Sequence, residues 1–369
     1  MTLVFLYGTL RHPPLLRAVA GKDLPSRSAT LAGHTVRHAG DAEYPQIFVD
    51  PDAQATGLLV DADTEALAAF DYYEGAYGYV LRQITVDTNN GPTVAHVYWP
   101  PEGTPAGAPW DLQTWVLTFA DMTVSAVPDI MRLRADWTAE QSREIRPFAL
   151  ARGWARQLAK NHAPATLRHD PVPGDVQLSH KDGGYMGFFG LRRIALAHRQ
   201  FDGAMSQQLH REVFMGFDVA LVLPYDPVLD QVLLVEQLRF GPLLRGDARP
   251  WVLEPIAGLI DAGEDPEVTA LRETREEANL NIDRLVPINQ SYPSPGYTTE
   301  YFHSFVGIAN LADRQTRLGG LAEESEDIRS HVMPRSKALQ LADSGEITAM
   351  PLVMMLYWLE RHHSALRRA

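Results

Sequence analysis

Gly258-Leu-Ile-Asp-Ala-Gly-Glu-Asp-Pro-Glu-Val-Thr-Ala-Leu-Arg-Glu-Thr-Arg-Glu-Glu-Ala-Asn-Leu280 is the stretch from which the second half of the chain is read. Asp265 is a good helix N-cap, Pro266 suits the first helical position, and Glu267 complements the positive end of the helix dipole. Helical spacing then puts Val268, Leu271, Thr274 and Ala278 on an inner stripe. Asn279 is placed to end the helix, because asparagine tolerates the left-handed conformation of a helix C-terminus.

Glu273, Glu276 and Glu277 share one face of that helix. Like charges four residues apart cost a bare helix roughly 0.2–0.5 kcal/mol per pair, so Glu273 beside Glu277 works against helix formation. A hard divalent cation would convert this repulsion into coordination by carboxylate oxygens. The competing reading is a solvated acidic face in which Arg272 pairs with Glu276.

Spacing decides between them. Gly258, five residues, Glu264, seven residues, Arg272-Glu273, two residues and Glu276-Glu277 resemble the Nudix box, with Asn279 where the family has a glycine. The resemblance implies metal ligation by Glu273, Glu277 and the backbone carbonyl of Ala257. It places Glu276 beside them among the catalytic residues and makes Glu264 the partner that holds Arg272.

The composition fits two domains. The chain has 369 residues, 45% hydrophobic and 21% charged, which is long for one core. A net charge of −13 argues against a nucleic-acid surface. The absence of cysteine excludes disulfides, thiol catalysis and thiolate metal sites. The apolar run after Met1 is too short for a signal peptide, and no stretch approaches a membrane span, so a cytoplasmic setting without membrane contact is expected.

Residues 1 to 100 read as mostly strand. Leu3 to Leu6, Ala55 to Val60, Val80 to Thr88 and Thr93 to Trp99 are strand candidates, with Asn89-Asn90-Gly91 as a hairpin signal and helical spacing from Asp63 to Tyr73. Together they suggest a small mixed α+β barrel. Tyr7-Gly8-Thr9-Leu10, Tyr44-Pro45, Gly57 and Phe70-Asp71-Tyr72-Tyr73-Glu74-Gly75 are similar to the γ-glutamylcyclotransferase-like family. In that family the loop matching Tyr7, Gly8, Thr9 and Leu10 lends backbone amides to the substrate. A glutamate matching Glu74 is the general acid/base for cyclisation to 5-oxoproline. An architectural or ligand-sensing domain that keeps the loop for fold reasons is the alternative.

Pro101 to Pro109 reads as a proline- and glycine-rich linker, and Trp110 to about Leu158 as helical. There Trp110, Trp115, Phe119, Met131, Leu133, Trp137 and Trp154 are read as core, and Thr138 with Gln141 as a capping box. Strands return near Val176, and Val219 to Leu223, Gln231 to Leu238 and Trp251 to Ile256 lead into the acidic helix. The expected domains are therefore 1–105, cyclotransferase-like; 106–165, a helical connector; and 166–369, an α/β/α sandwich of Nudix type.

The resemblance extends beyond the box. Phe201-Asp-Gly-Ala-Met-Ser206, Arg211-Glu-Val-Phe214, Leu223-Pro-Tyr-Asp-Pro227 and Val235-Glu-Gln-Leu-Arg239 are similar to the ADP-ribose pyrophosphatase branch. So is Tyr292-Pro-Ser-Pro-Gly296, with Pro295 falling 16 positions after Asn279. That branch implies substrate contacts at Phe201, Arg239 and Pro295 and a homodimer through the Nudix domain. In the acidic loop Gly320 to Ile328 it implies a catalytic base at Glu324 and a metal ligand at Glu326. The resulting expectation is hydrolysis of a nucleoside diphosphate sugar, foremost ADP-ribose to AMP and ribose 5-phosphate. Two or three Mg²⁺ ions, or Mn²⁺ in their place, would serve it. Cyclotransferase activity in the first domain and a nucleotide-sensing binding protein are the alternatives.

Overall fold

The apolar run after Met1 forms β1 (Thr2–Leu6), and the strands beside it close into a barrel. The computed structural model describes residues 1–161, 165–181, 184–312, 314, 318–320 and 326–367, with the His180 and Lys181 side chains left aside. By packing, the chain divides into two units, Met1–Arg211 and Glu212–Ala369.

In the first unit α1 (Pro13–Ala20) is followed by β2 (Ser26–Ala39), β3 (Pro45–Ala62), α2 (Thr64–Gly75), β4 (Val80–Thr88) and β5 (Gly91–Trp99). The order β3-β1-β5-β4-β2, with β2 pairing back onto β3, is a closed five-strand ring. Its β1–β5 edge is parallel, whereas β1–β3, β2–β3, β2–β4 and β4–β5 are antiparallel. Gly91, at a φ of 99°, makes the β4–β5 reversal that the Asn-Asn-Gly signal predicts.

Closure leaves little room between β1 and β3. A Cβ on Gly57 would lie 2.4 Å from the Phe5 ring and 2.6 Å from the Leu6 carbonyl oxygen. Val4, Phe5, Leu15, Leu59, Val60 and Phe70 belong to the buried core of this unit. Asp63 caps α2 by accepting a hydrogen bond from the Ala66 amide at 2.9 Å.

Two features depart from the sequence reading. β2 escapes it because Ser26–Ala39 lacks a clean polar–apolar alternation, and a register shift beside Gly33 (φ 71°) interrupts the strand. The expected linker contains β6 (Ala106–Pro109), an edge strand on β2; its proline is tolerated because an edge position needs no amide donor there.

The helical stretch comprises α3 (Leu112–Trp115), a π-helical run Val116–Ala120, α4 (Asp121–Arg132), α5 (Ala139–Ser142) and α6 (Arg146–Leu158). Of the residues read as core here, Trp110, Trp115 and Leu133 are buried in this unit, and Phe119, Met131, Trp137 and Trp154 are half-buried. Thr138 and Gln141 make both bonds of the capping box, at 3.2 and 2.9 Å. β7 (Val176–Lys181) and β8 (Gly190–His198) form an antiparallel hairpin in the same unit. Asp129, 1% exposed, receives Arg152 at 3.3 Å and Arg156 at 2.9 Å from α6, and Arg192 from β8. Burial pushes its carboxyl up, but the three guanidinium groups outweigh this and hold it below the usual range. This buried charge cluster ties the hairpin to the helices.

β9 (Leu209–Met215) carries the chain into the second unit, where β10 (Asp218–Asp226) is buried along its whole length. Such a strand reads as a near-continuous apolar run because both its faces are covered. Around it stand β11 (Gln231–Leu238), α7 (Phe240–Arg245), β12 (Trp251–Glu254), β13 (Ile256–Leu259), α8 (Pro266–Ala278), β14 (Arg284–Ser291) and β15 (Tyr301–Ile308). They are completed by β16 (Leu318–Gly319), β17 (Ile328–Pro334), α9 (Arg335–Ser344) and α10 (Met350–Leu366). The mixed sheet runs β14-β15-β10-β11-β17-β16, with β13 on β10 and β12 on β11. Leu352, Met355, Leu356 and Leu359 of α10 pack with Val219, Leu221, Leu223 and Tyr225 of β10, and α8 packs against β10 and β13. Among the described residues no helix is long and apolar enough to cross a membrane.

Gly57→Ala should destabilise the first unit by about 1–3 kcal/mol, the cost of overpacking a tight interior. Thermal unfolding should show its transition lowered; an unchanged transition would mean that β1 and β3 separate without cost.

Candidate functional site

Helix α8 is capped as its sequence requires. The Asp265 side chain accepts from the Glu267 amide at 2.8 Å, Pro266 opens the helix, and Asn279 ends it at φ 46° and ψ 46°. Arg314 donates to the Ala278 and Asn279 carbonyls at 2.8 and 2.7 Å, neutralising the negative end of the helix. Of the expected inner stripe, Thr274 and Ala278 are buried and Leu271 is half-buried, while Val268 is 53% exposed. Thr269, Ala270 and Glu277 join the buried face, so that at its first turn a threonine, not a valine, faces inward and one carboxylate is buried with it.

Arg272 organises the acidic face. Its Nε and Nη2 donate to Glu264 at 3.4 and 3.1 Å, and its Nη1 donates to Glu273 at 2.6 Å and Glu276 at 3.0 Å. Glu264 also accepts from the Thr269 hydroxyl at 2.6 Å. Burial opposes ionisation of Glu264, but these hydrogen bonds outweigh it and hold the carboxyl below its ordinary value. Both sequence readings of Arg272 hold, since it takes Glu264 and Glu276 together.

Glu273 and Glu277 are in a different condition. Burial pushes the Glu273 carboxyl up to about 7 against the pull of Arg272, with Glu276 and Glu326 adding repulsion. Glu277, 3% exposed, is driven well above its ordinary value by burial and then by the charges of Glu273 and Glu326. Among the described residues its Oε2 is buried without a hydrogen-bond partner. Gly258 makes room for this crowding, because a Cβ there would meet the Glu273 carboxyl carbon at 1.9 Å. Gly319 has the same function on the other side, where a Cβ would lie 1.9 Å from the Glu277 carbonyl oxygen. Through it β16 approaches the helix and the chain delivers Glu326 to the cluster. The sequence reading missed Gly319, although its Gly-Gly pair with Gly320 was a usable signal.

Carboxylate oxygens are hard donors, and a buried carboxylate oxygen without a partner suits a hard divalent cation. Among the described residues, no three His, Asp or Glu side chains are grouped so that they could hold a metal ion by themselves. Glu273 spends one oxygen on Arg272. Ala257 lies on β13, and its backbone N–H is directed to the Glu277 carboxylate. Glu324 lies outside the described residues.

Arg239 donates to Glu254 at 2.6 Å and also offsets the charge of Glu277 and Glu300. Burial raises the carboxyls of both Glu254 and Glu300 against that offset. Neither glutamate was singled out by sequence, since neither belongs to a spaced motif. Pro295 is exposed. Phe201 belongs to the first unit, where it is fully exposed beside His169, with ring centroids 6.4 Å apart.

The first unit holds a second cluster. Tyr7 donates to the Tyr98 carbonyl at 3.1 Å, and Leu10 is 2% exposed. Thr9 starts a short 3-10 turn, and Gly8 sits where a Cβ would lie 3.0 Å from the Pro45 ring. Glu74, near the end of α2, is partly buried, and burial raises its carboxyl to about 7 against the attraction of Arg146. Tyr7, Tyr73, Tyr79 and Tyr98 surround it electrostatically, and burial raises each phenol. A carboxyl balanced near neutrality can both give and take a proton. Among the described residues the Gln46 Oε1 is buried without a hydrogen-bond partner in the same unit.

Two families match the chain. The family described as Gamma-glutamyl cyclotransferase, AIG2-like, matches residues 4–117, and the NUDIX domain matches residues 217–352. The ADP-ribose pyrophosphatase of Shigella flexneri is 40% identical over 206 residues, covering 54% of this chain and 98% of that protein. The ADP-ribose pyrophosphatase of Haemophilus influenzae is 37% identical, over 53% of this chain and 90% of its own length. The GDP-mannose pyrophosphatase of Salmonella arizonae is 32% identical, over 48% and 90%.

Glu74 makes stability depend on pH. Its folded carboxyl titrates at about 7 against an ordinary 4.5, so between these values the folded state binds more protons than the unfolded. Its contribution is therefore present below about 4.5 and is lost as pH rises through about 7. Glu74→Gln should raise the unfolding temperature of the first unit relative to wild type by several degrees at pH 8, roughly what 1–2 kcal/mol gives, and by little at pH 4.5. An equal difference at both pH values would contradict the burial of this charge.

Proposed function

Because the chain belongs to the Nudix hydrolases through its second unit, behind a γ-glutamyl cyclotransferase-like first domain, we propose that it hydrolyses ADP-ribose to AMP and ribose 5-phosphate. The observation that carries the reading is Glu277, a buried carboxylate with an oxygen unpartnered among the described residues, set against Glu273 and Glu326. Relatives named ADP-ribose pyrophosphatase, at 40% and 37% identity, favour this substrate over GDP-mannose, whose named relative stands at 32%. In this reading the hydrolase part is residues 166–369.

A diphosphate resists attack because its oxygens are already negative, and an acidic protein adds to that repulsion. Glu273, Glu277 and Glu326, with the Ala257 carbonyl, would hold Mg²⁺ or Mn²⁺. When bound, a divalent cation supplies the positive charge that offsets the diphosphate and polarises the water. The protein's own share is positional. Arg272 fixes Glu264, Glu273 and Glu276, so that the acidic face keeps its shape whether or not it is neutralised. Arg239, oriented by Glu254, meets the diphosphate end, and Pro295 lies toward the nucleoside. Glu324 takes the proton of the attacking water as the new P–O bond forms and the bridging P–O bond breaks.

A second activity is favoured by Glu74 and the tyrosines around it. The α-amine of a γ-glutamyl group attacks its own γ-carbonyl, closing the five-membered ring of 5-oxoproline. Glu74 takes the amine proton and returns it to the departing amine, while the Tyr7-Gly8-Thr9-Leu10 loop holds the carbonyl oxygen.

Glu277→Gln should lower turnover of ADP-ribose by orders of magnitude in the presence of Mg²⁺, read as AMP release, with circular dichroism unchanged. Undiminished AMP release from that variant would remove Glu277 from the site. For the second activity, 5-oxoproline release from γ-glutamyl amines should vanish in Glu74→Gln and persist in Glu277→Gln; release that survives Glu74→Gln would sink it.

A further inference from the structure

Tyr44-Pro45-Gln46, where β3 begins, is held between two parts of the first unit's cluster. On one side the Pro45 ring packs against Gly8, where a Cβ would lie 3.0 Å from it. On the other, the Pro45 carbonyl accepts from the Tyr79 hydroxyl at 3.2 Å, and the Tyr44 ring lies 4.9 Å from that of Tyr77. Tyr77 and Tyr79 stand in the turn that leaves α2 at Glu74, whose carbonyl accepts from the Tyr77 amide at 3.1 Å. Arg146 braces this turn, its guanidinium over the rings of Tyr73 and Tyr77 at 5.0 and 5.1 Å from their centroids. The start of β3 therefore joins the Tyr7-Gly8-Thr9-Leu10 loop to the end of the helix that carries Glu74.

Gln46 is the polar member of this junction. It is 2% exposed, and among the described residues its Oε1 is buried without a hydrogen-bond partner. The other end of the amide is accounted for. A side-chain hydrogen bond joins Gln46 to the Tyr79 phenol, and Tyr79 has already given its own proton to the Pro45 carbonyl. The amide N–H2 of Gln46 is therefore the donor to Tyr79, and the end left over is an acceptor. A buried acceptor without a donor carries its full desolvation cost, which an apolar residue of the same size would avoid. Ile47, the next residue of β3, is equally buried at 2% and is apolar, as packing alone would favour.

We propose that Gln46 is a specificity-determining residue of the first unit's site: its Oε1 accepts an N–H of the α-amine of a γ-glutamyl substrate. This rests on the cyclotransferase reading. When the amine attacks, its lone pair points at the γ-carbonyl carbon and two N–H bonds remain. One gives its proton to Glu74; the other needs an acceptor, and Gln46 supplies it. With both N–H bonds engaged, rotation about the bond from the α-carbon to the nitrogen is fixed and the lone pair is held toward the carbonyl. The α-carboxylate has no donor to offer an amide oxygen, so Gln46 also settles which substituent of the α-carbon faces it.

Binding to the full chain carrying Glu74→Gln, which stops turnover, is measured by calorimetry for L-γ-glutamyl ethylamide and for glutaric acid monoethylamide. These compounds differ only in the α-amine. Adding Gln46→Met should weaken the first about tenfold, the loss of one buried hydrogen bond, and leave the second nearly unchanged. With Glu74 intact, Gln46→Met should lower kcat/KM for 5-oxoproline release by the same factor. Equal weakening of both compounds, or of neither, overturns the proposal and leaves the cyclotransferase reading standing; the second outcome would assign the oxygen to a buried water. Gln46→Glu, which keeps an acceptor in place, should hold or widen the preference for the amine. A narrowed preference there overturns the proposal, and this variant decides alone where Gln46→Met does not fold. If neither compound binds and the wild-type chain releases no 5-oxoproline, the cyclotransferase reading fails and the proposal with it.

Discussion

One guanidinium makes the acidic helix possible. Arg272 is shared among Glu264, Glu273 and Glu276, and without it α8 would carry these charges and Glu277 with nothing but water to separate them. Because Arg272 holds these three, the repulsion is passed inward to Glu277, the one carboxylate of the group that packing has buried. Two glycines allow this. Gly258 and Gly319 remove the side chains that would otherwise keep β13 and β16 away from the helix, so that Glu273 and Glu277 are confined between strands. The fold therefore concentrates negative charge where it is most costly, and such cost is retained where a ligand of opposite charge repays it.

The barrel of the first unit meets a related constraint by different means. Five strands close on themselves only if β1 and β3 approach within the radius of a side chain, and Gly57 is where they do so. The narrow interior leaves Glu74 with tyrosines for neighbours, and desolvation lifts its carboxyl to about 7.

What was legible in the sequence follows from how locally each feature is determined. The caps at Asp265 and Asn279, the capping box at Thr138 and the reversal at Gly91 depend on a few adjacent residues, and the structure realises each of them. The pairing of Arg272 with Glu264 was legible because a fixed spacing along a loop and helix carries it. The first turn of α8 was not: Val268 and Thr269 fit a helical stripe equally well, and packing against β10 and β13 buries the threonine. β2 was missed because its partners, β3 on one side and β4 and β6 on the other, define it more than its own composition does. Arg146 and the cluster at Asp129 were invisible for the same reason, since each joins segments far apart in sequence.

Glu74 and Glu273 illustrate how one displacement can arise in two chemical settings. Both carboxyls are raised to about 7 by burial, and both feel an arginine that pulls the other way. Around Glu273 the neighbours that add to the burial are carboxylates, Glu276 and Glu326, so ionisation there is opposed by charge. Around Glu74 the neighbours are phenols, which remain neutral, so the carboxyl can exchange a proton without rearranging the charges beside it. The first arrangement suits holding an ion against a diphosphate; the second suits moving a proton between two nitrogens of one substrate. The raised carboxyl alone does not distinguish these tasks. The identity of the groups that raise it does.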